Sequence, residues 1–243
     1  MRNRPLPAIT EGEAAYARSF LLYEDASVLV FNKPSGLAVQ GGAGVEQSLD
    51  YLLVAFAKSN GKKPRLVHRL DRGTSGVIIA GRTKPAAAFL SEEFASRRAR
   101  KTYLALVEGR LPKEEEGVMD KPLMKVEESG RIRMIVVGSG LQGSQDAVTH
   151  WRVLARQAGR ALMELRPETG RMHQIRVHLS SAGCPILGDD LYGADAGSGH
   201  RLMLHASALE INHPEEGCVP YKAPVPNDFL RCAEALDISD VVA

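Results

Sequence analysis

Apolar residues recur along this chain in short blocks, and the spacing within each block predicts an element. Ser27 to Asn32 is rich in β-formers and stops at Lys33-Pro34-Ser35-Gly36, a turn. Gly41-Gly42-Ala43-Gly44 reads as a loop. Ser48 is then the N-cap of a helix whose apolar stripe, Leu49, Leu52, Leu53, Phe56 and Ala57, has the spacing of a core face. Arg65 to Val67 is a short strand, and Gly76 to Arg82, with Val77, Ile78 and Ile79 in a row, is a buried one. Thr83 caps the next helix, with Pro85 in its first turn and Ala87, Leu90 and Phe94 facing inward. Lys101 to Glu108 alternates as a strand, with Tyr103, Ala105 and Val107 on one side.

Residues 112–146 are polar and glycine-bearing around one clear strand, Arg131 to Val137, which predicts an insertion or hairpin arm. Further strands are expected at Ala147–Ala155, Arg160–Arg166 and Arg201–Ile211. Met172 to Ala182 suits a helix, with Ile175, Leu179 and Ala182 in line, and a terminal helix is expected at Asp228–Leu236. Residues 1–19 read as an N-terminal tail and residues 20–243 as one domain. Strands outnumber helices and do not alternate regularly with them. That predicts an α+β fold with a mainly antiparallel sheet rather than a doubly wound one.

Composition narrows the class only slightly. Of 243 residues, 44% are hydrophobic and 25% charged, as in ordinary globular proteins. No apolar run approaches the roughly 20 residues of a membrane span. The opening MRNRPLPAITEGEAAYAR lacks the apolar core of a secretory signal. Cys184, Cys218 and Cys232 are an odd number at wide spacing. They argue against a disulfide framework and a zinc site, and fit a reducing, cytoplasmic location. A net charge of +2 makes no global case for nucleic acid, but cations cluster. Arg65, His68, Arg69 and Arg72 form one group, Arg97, Arg98, Arg100 and Lys101 a second, and Arg171, His173, Arg176 and His178 a third. Any one run reads as a solvated face. Three beside Gly- and Asp-containing segments point toward phosphate contact.

Three segments could carry chemistry. His68-Arg69-Leu70-Asp71-Arg72-Gly73 sets a carboxylate among two arginines and a histidine, in a corner between apolar strands. A neighbouring cation favours the ionised form, so Asp71 suits a nucleophile or a stabiliser of positive charge and not a general acid. Alternatively it caps the turn or pairs with Arg72. Thr169-Gly170-Arg171-Met172-His173-Gln174-Ile175-Arg176-Val177-His178 is the second. Its two histidines are five apart, on opposite faces of a strand or roughly 140° apart on a helix. Neither placement lets both bind one metal ion, so no metal is expected, although His68, His200, His205 and His213 are also present. Arg176, between Ile175 and Val177, is a charge that needs a partner. In Lys101-Thr102-Tyr103, the tyrosine is either core or a group that stacks on a nucleobase and exchanges a proton with it. There is no phosphate-binding loop, no strand-linked G-x-G-x-x-G and no G-x-S-x-G elbow, so nothing asks for a nucleotide cofactor.

At these residues the chain resembles the RluA-type family of RNA pseudouridine synthases. The matching segments are YEDASVLVFNKPSGLAV at 23–39, LVHRLDRGTSG at 66–76, RKTYLALVEG at 100–109, ETGRMHQIRVHL at 168–179, GCPILGDDLYG at 183–193 and LHASALEINHP at 204–214. They run in the family's order across about residues 20–214. The resemblance implies a long, mostly antiparallel sheet with flanking helices and two subdomains around a cleft, the pseudouridine synthase fold. It implies Asp71 as the catalytic aspartate, Tyr103 stacking on the uracil and taking its C5 proton, and Arg176 pairing with Asp71 to keep it ionised. Arg69 would fill the stack left by a flipped base. Ile175 would pack on that base, and His68, Arg72, Arg171 and His173 would contact RNA. No metal or organic cofactor is implied. The substrate would be structured ribosomal or transfer RNA, the enzyme a monomer, with no membrane attachment.

Two departures concern RNA contacts more than chemistry. Gly73 stands where an acidic residue is expected, and Met172 where a small polar one is. The small N-terminal RNA-binding domain of many relatives is not expected before Tyr23, so residues 20–243 would select the RNA themselves.

The reaction suits a site without a cofactor, since it breaks N1–C1′ and joins C5 to C1′ with no redox step. A nucleic-acid glycosylase using the same carboxylate is the competing enzyme, and would release free uracil. A non-catalytic RNA-binding module is the competing class.

Overall fold

The structure, a computed structural model, describes residues 6–42, 47–59, 61–128, 130–193 and 199–235. From the N-terminus its elements are α1 (Glu11–Ser19), β1 (Leu21–Glu24), β2 (Val28–Lys33), α2 (Leu49–Leu52), β3 (Arg65–Leu66), β4 (Ser75–Gly81), α3 (Lys84–Ala95), β5 (Arg100–Glu108) and β6 (Glu116–Met119). There follow β7 (Leu123–Glu128), β8 (Arg131–Val136), β9 (Thr149–Gln157), β10 (Arg160–Pro167), α4 (Gln174–Ser181), β11 (Leu204–His213), β12 (Gly217–Lys222) and α5 (Asn227–Glu234). The chain divides into two compact units, Met1–Ala99 with Ala208–Pro224, and Arg100–Ser207 with Val225–Ala243.

In the first unit β2 lies antiparallel to β1 and to β4, and β3 adds to β4. The end of β11 pairs antiparallel with β12, from Ala208 opposite Lys222 to His213 opposite Gly217. All seven residues of β4 are buried, which is why its sequence reads as an unbroken apolar run rather than an alternation. Val28, Val30, Val77 and Ile79 pack with Leu90, Leu209 and Ile211. Phe31 meets the Phe56 ring edge-on at 5.3 Å. Thr83 accepts from the Ala86 amide, and Pro85 opens α3 as predicted.

In the second unit β5, β10, β9 and β6 are successive antiparallel neighbours, and β7 and β8 form a separate hairpin. Leu106, Leu162, Met163 and Leu165 build its core with Leu179 of α4 and Phe229 of α5. The hairpin has its own apolar anchor, where Leu123 and Met134 pack with Ala147 and Val177. These antiparallel ladders and the five helices among the described residues are the α+β class that the sequence predicts.

Four local expectations change. The stretch read as a tail turns helical at Glu11, where Thr10 and Glu13 form a capping box. The helix after Ser48 lasts only four residues. It then tightens into a 3₁₀ turn at Leu53–Phe56, and Ala57 is extended. Residues 112–146 hold β6 and β7 as well as the predicted strand. β1 and β12 were not predicted, because short half-exposed strands, one with Pro220, lack an apolar pattern. The ends of the Gly41–Gly44 loop and of the Asp228–Leu236 helix fall outside the described residues.

Gly81 ends β4 under α3, and a Cβ there would lie 2.5 Å from the Ala87 amide nitrogen. Gly81→Ala is expected to destabilise the protein by about 1–3 kcal/mol, read as a lowered urea midpoint at unchanged m-value.

Candidate active site

The corner between β3 and β4 carries the first group of predicted residues. Its backbone is held from the facing turn. The Lys33 side chain, fully buried, donates from Nζ to the carbonyls of Leu37 (2.8 Å), Pro34 (2.9 Å) and Arg72 (3.2 Å). The Gly36 amide donates to the Arg72 carbonyl at 2.8 Å, and Arg72 Nε returns a bond to the Gly36 carbonyl at 2.9 Å. The Ser35 hydroxyl donates to the Gly73 carbonyl at 2.6 Å. Thr74 closes the turn with its amide on the Asp71 carbonyl at 3.1 Å. Leu70 points into the core while Arg69 and Arg72 are exposed and Asp71 is half-buried. Neighbouring side chains therefore fall on opposite sides of the corner. His68 accepts the Ile79 amide at Nε2 (3.0 Å) and stacks on Phe94 with ring centres 4.3 Å apart.

The second group sits in the other unit. Tyr103 is half-buried on β5, opposite Leu165 of β10. Where β10 leads into α4, His173 adopts a left-handed conformation, φ 54°, which starts the helix abruptly. Four hydrogen bonds to one side chain compensate that strain. Gln174 Oε1 accepts the Thr169 hydroxyl (2.7 Å) and the Arg171 amide (3.0 Å). Its Nε2 donates to the Val148 carbonyl (2.9 Å) and Thr149 Oγ1 (3.0 Å). Thr149 Oγ1 lies 2.9 Å from His178 Nδ1, and His178 Nε2 lies 3.0 Å from the Lys121 carbonyl. A carbonyl only accepts, so Nε2 carries the proton and Thr149 donates to Nδ1. Burial pushes the His178 pKa down, against the raising effect of the Lys121 carbonyl and the Asp120 charge. The ring is therefore neutral at physiological pH.

Arg176 is buried, and its fork grips Asp189, with Nε to Oδ2 at 2.8 Å and Nη2 to Oδ1 at 2.7 Å. Its charge centre lies 5.1 Å over the Tyr192 ring. Arg171 Nε donates to the Asp146 carbonyl at 2.9 Å, and Ile175 belongs to the apolar core. The structure thus groups His68, Arg69, Asp71 and Arg72 in one unit, and Tyr103, Arg171, His173, Ile175 and Arg176 in the other.

Sequence reasoning missed Lys33, Gln174, Thr149 and Asp189. A buried cation caging carbonyls leaves no periodic signal, and Asp189 hides beside a second aspartate, Asp190. A groove of about 500 Å³ on the β6–β9–β10 face holds none of the predicted residues. Its cations Arg152 and Arg166 already share the Glu164 carboxylate. Asp25, His213 and Glu216 bring ligand-type atoms within 4.8 Å of one another. There the Glu215 amide donates to His213 Nδ1, leaving the proton on Nε2, 3.0 Å from Asp25, so the ring does not offer a metal its lone pair. Among the described residues no helix is long and apolar enough to cross a membrane.

Residues 27–181 match the family model described as RNA pseudouridylate synthase. The chain is 39% identical, over 86% of its length and 94% of the relative's, to an RNA pseudouridine synthase of Zymomonas mobilis. It is 39% identical to ribosomal large subunit pseudouridine synthase C of Escherichia coli, over 89% of this chain and 69% of that one. Among solved structures it is similar to human RNA pseudouridylate synthase domain containing 4, with a TM-score of 0.78 at 28% identity, covering 93% of this chain and 97% of that one.

Lys33→Met is expected to take one donor from each of three carbonyls, of which that of Arg72 keeps the Gly36 amide, and to cost roughly 3 kcal/mol in urea unfolding. His178 makes a separate, pH-dependent contribution. Its folded pKa lies below the ordinary 6.5, so the unfolded chain binds the proton more readily. Stability should therefore fall as pH drops through 6.5 toward the folded pKa. In His178→Gln that part of the slope should vanish from a pH series of unfolding curves.

Proposed function

The chain belongs to the RluA-type family of RNA pseudouridine synthases, isomerases of RNA, and from that premise we propose that it rearranges particular uridines of structured ribosomal or transfer RNA with Asp71 as the catalytic carboxylate. The observation that carries the proposal is the β3–β4 corner. It presents a half-buried carboxylate between two exposed arginines, on backbone that the buried Lys33 holds in place. Rigid backbone under a reactive group is what catalysis by positioning and fixed charge requires.

The target nucleotide leaves its helix, at a cost of a few kcal/mol, and Arg69 occupies the space it vacates. Arg72 and His68 on the same corner, and Arg171 and His173 at the start of α4, contact the RNA. The N1–C1′ bond breaks with Asp71 ionised, to trap or shield the electron-deficient sugar or to add to the ring. Tyr103 keeps the base in place while it turns, C5 bonds to C1′, N1 takes up a proton, and the C5 proton passes to a base, the role proposed for Tyr103. Arg176 is the cation that keeps the reaction carboxylate charged, and Ile175 closes the apolar side. Cys184, Cys218 and Cys232 form no disulfide among the described residues, which suits a reducing cytoplasm.

Asp71→Asn should abolish tritium release from RNA labelled at uridine C5 while RNA affinity stays within a few-fold. Near-normal release would overturn the assignment. Free uracil in the wild-type reaction would identify a glycosylase instead. Arg176→Lys should lower kcat by about 10²–10³, because an ammonium lacks the two-pronged donor. A wild-type rate in that variant contradicts the counter-ion role.

A further inference from the structure

Arg176 does not meet its surroundings as a lone charge. We propose that Asp189 is a positioning residue for the reaction, clamping the Arg176 guanidinium so that only one edge of it can serve a second acceptor; this rests on the function proposed above. A guanidinium offers five N–H donors in a planar fork. Asp189 takes the Nε–Nη2 edge through both its oxygens, and neither side chain reaches solvent to more than 9%. The edge ending in Nη1 is the one that Asp189 does not use.

The clamp is itself fixed. Asp189 Oδ1 also accepts the amides of Leu191 and Tyr192, each at 3.1 Å, and the Gly193 amide closes the turn on the Asp189 carbonyl at 2.8 Å. Gly188 enters this turn at φ 74°, and a Cβ there would lie 2.1 Å from the Arg201 carbonyl oxygen, so the turn is pressed onto that segment. Tyr192, placed by the turn, puts its ring against Arg176. Its hydroxyl accepts the Met134 amide at 2.9 Å and lies 2.9 Å from His173 Nδ1. Its carbonyl accepts the Ser180 hydroxyl at 2.7 Å. One five-residue turn thereby sets both Arg176 and His173, two of the residues assigned to the site.

Two consequences follow. First, the orientation of Arg176 is decided before any substrate arrives. Second, Asp189 offsets part of the Arg176 charge, so Arg176 keeps the reaction carboxylate ionised through the direction of its donors as well as through its charge. Asp189→Asn isolates this role. The amide oxygen still accepts from Leu191 and Tyr192, but its NH₂ faces the Arg176 Nε–H, donor against donor.

The test compares wild type, D189N, R176K and the double variant in single-turnover and steady-state pseudouridine formation on one RNA. Expected is a loss of at least about 30-fold in kcat for D189N with KM within about 3-fold, and a double variant within about 3-fold of R176K alone. A D189N rate within about 3-fold of wild type overturns the proposal, and so do losses that multiply in the double variant, which mark a merely structural role. A second measurement does not need D189N to fold. The wild-type ¹⁵N spectrum should hold an arginine Nε–H protected from exchange that disappears in R176K, and a wild type without it also overturns the clamp. A wild type that forms no pseudouridine overturns the functional reading and this proposal together. A wild type that turns over beside an equally fast D189N overturns the proposal alone.

Discussion

The ammonium of Lys33, buried and surrounded by carbonyl oxygens, is the contact on which the Asp71 corner depends. Buried peptide carbonyls must be matched by donors, and a corner between two strands has lost its ladder partners. Lys33 supplies those bonds from one point. It ties the turn after β2 to the carbonyl of Arg72, one residue beyond Asp71. Because β2 and β4 are adjacent strands with Lys33 opposite Gly76, the cation reaches the corner without any long-range arrangement. The carboxylate is thus placed by the sheet register, and the exposed Arg69 and Arg72 side chains stay available at the surface.

The second unit solves the same problem with neutral groups. α4 begins at a left-handed residue, and Gln174 satisfies donors and acceptors that this abrupt start would strand. The relay from Gln174 through Thr149 to His178 and the Lys121 carbonyl then ties the helix to β9 and to the link before β7. A fully satisfied buried network of this kind specifies one arrangement, since each rearrangement leaves a polar atom unmatched. Arg176, in the first turn of that helix, inherits the rigidity.

How much of this was legible in the sequence depends on which physical signal each part leaves. Strands such as β4 and β5 and the helix α3 announce themselves through apolar runs, alternation and the Thr83 cap. α1 was missed although Thr10 and Glu13 spell a capping box, because its face buries only Ala17 and carries little amphipathic pattern. The β3–β4 corner was recognisable as a charged turn around Asp71. The carboxylate and its neighbouring cations were legible there, but the device that holds their backbone was not. Lys33 looked like a turn residue, since nothing in a linear string says that an ammonium will be enclosed. The charge on Arg176 called for a partner, and Asp189, thirteen residues on, is visible only once the chain has folded back.

The two cations also show why their types are not interchangeable. Three carbonyls converging on one point require donors that radiate from a single atom, and an ammonium provides three of them. A planar fork would satisfy two at most along one edge. Asp189 presents two coplanar oxygens, which a guanidinium edge matches with parallel bonds while keeping a second edge for another acceptor. A lysine at 176 would hold the carboxylate but would have no direction left to give. The choice of Lys at 33 and Arg at 176 therefore follows from the shape of the acceptor set each one meets. Breaking either arrangement leaves buried polar groups uncompensated, and that cost is what keeps both in a single geometry.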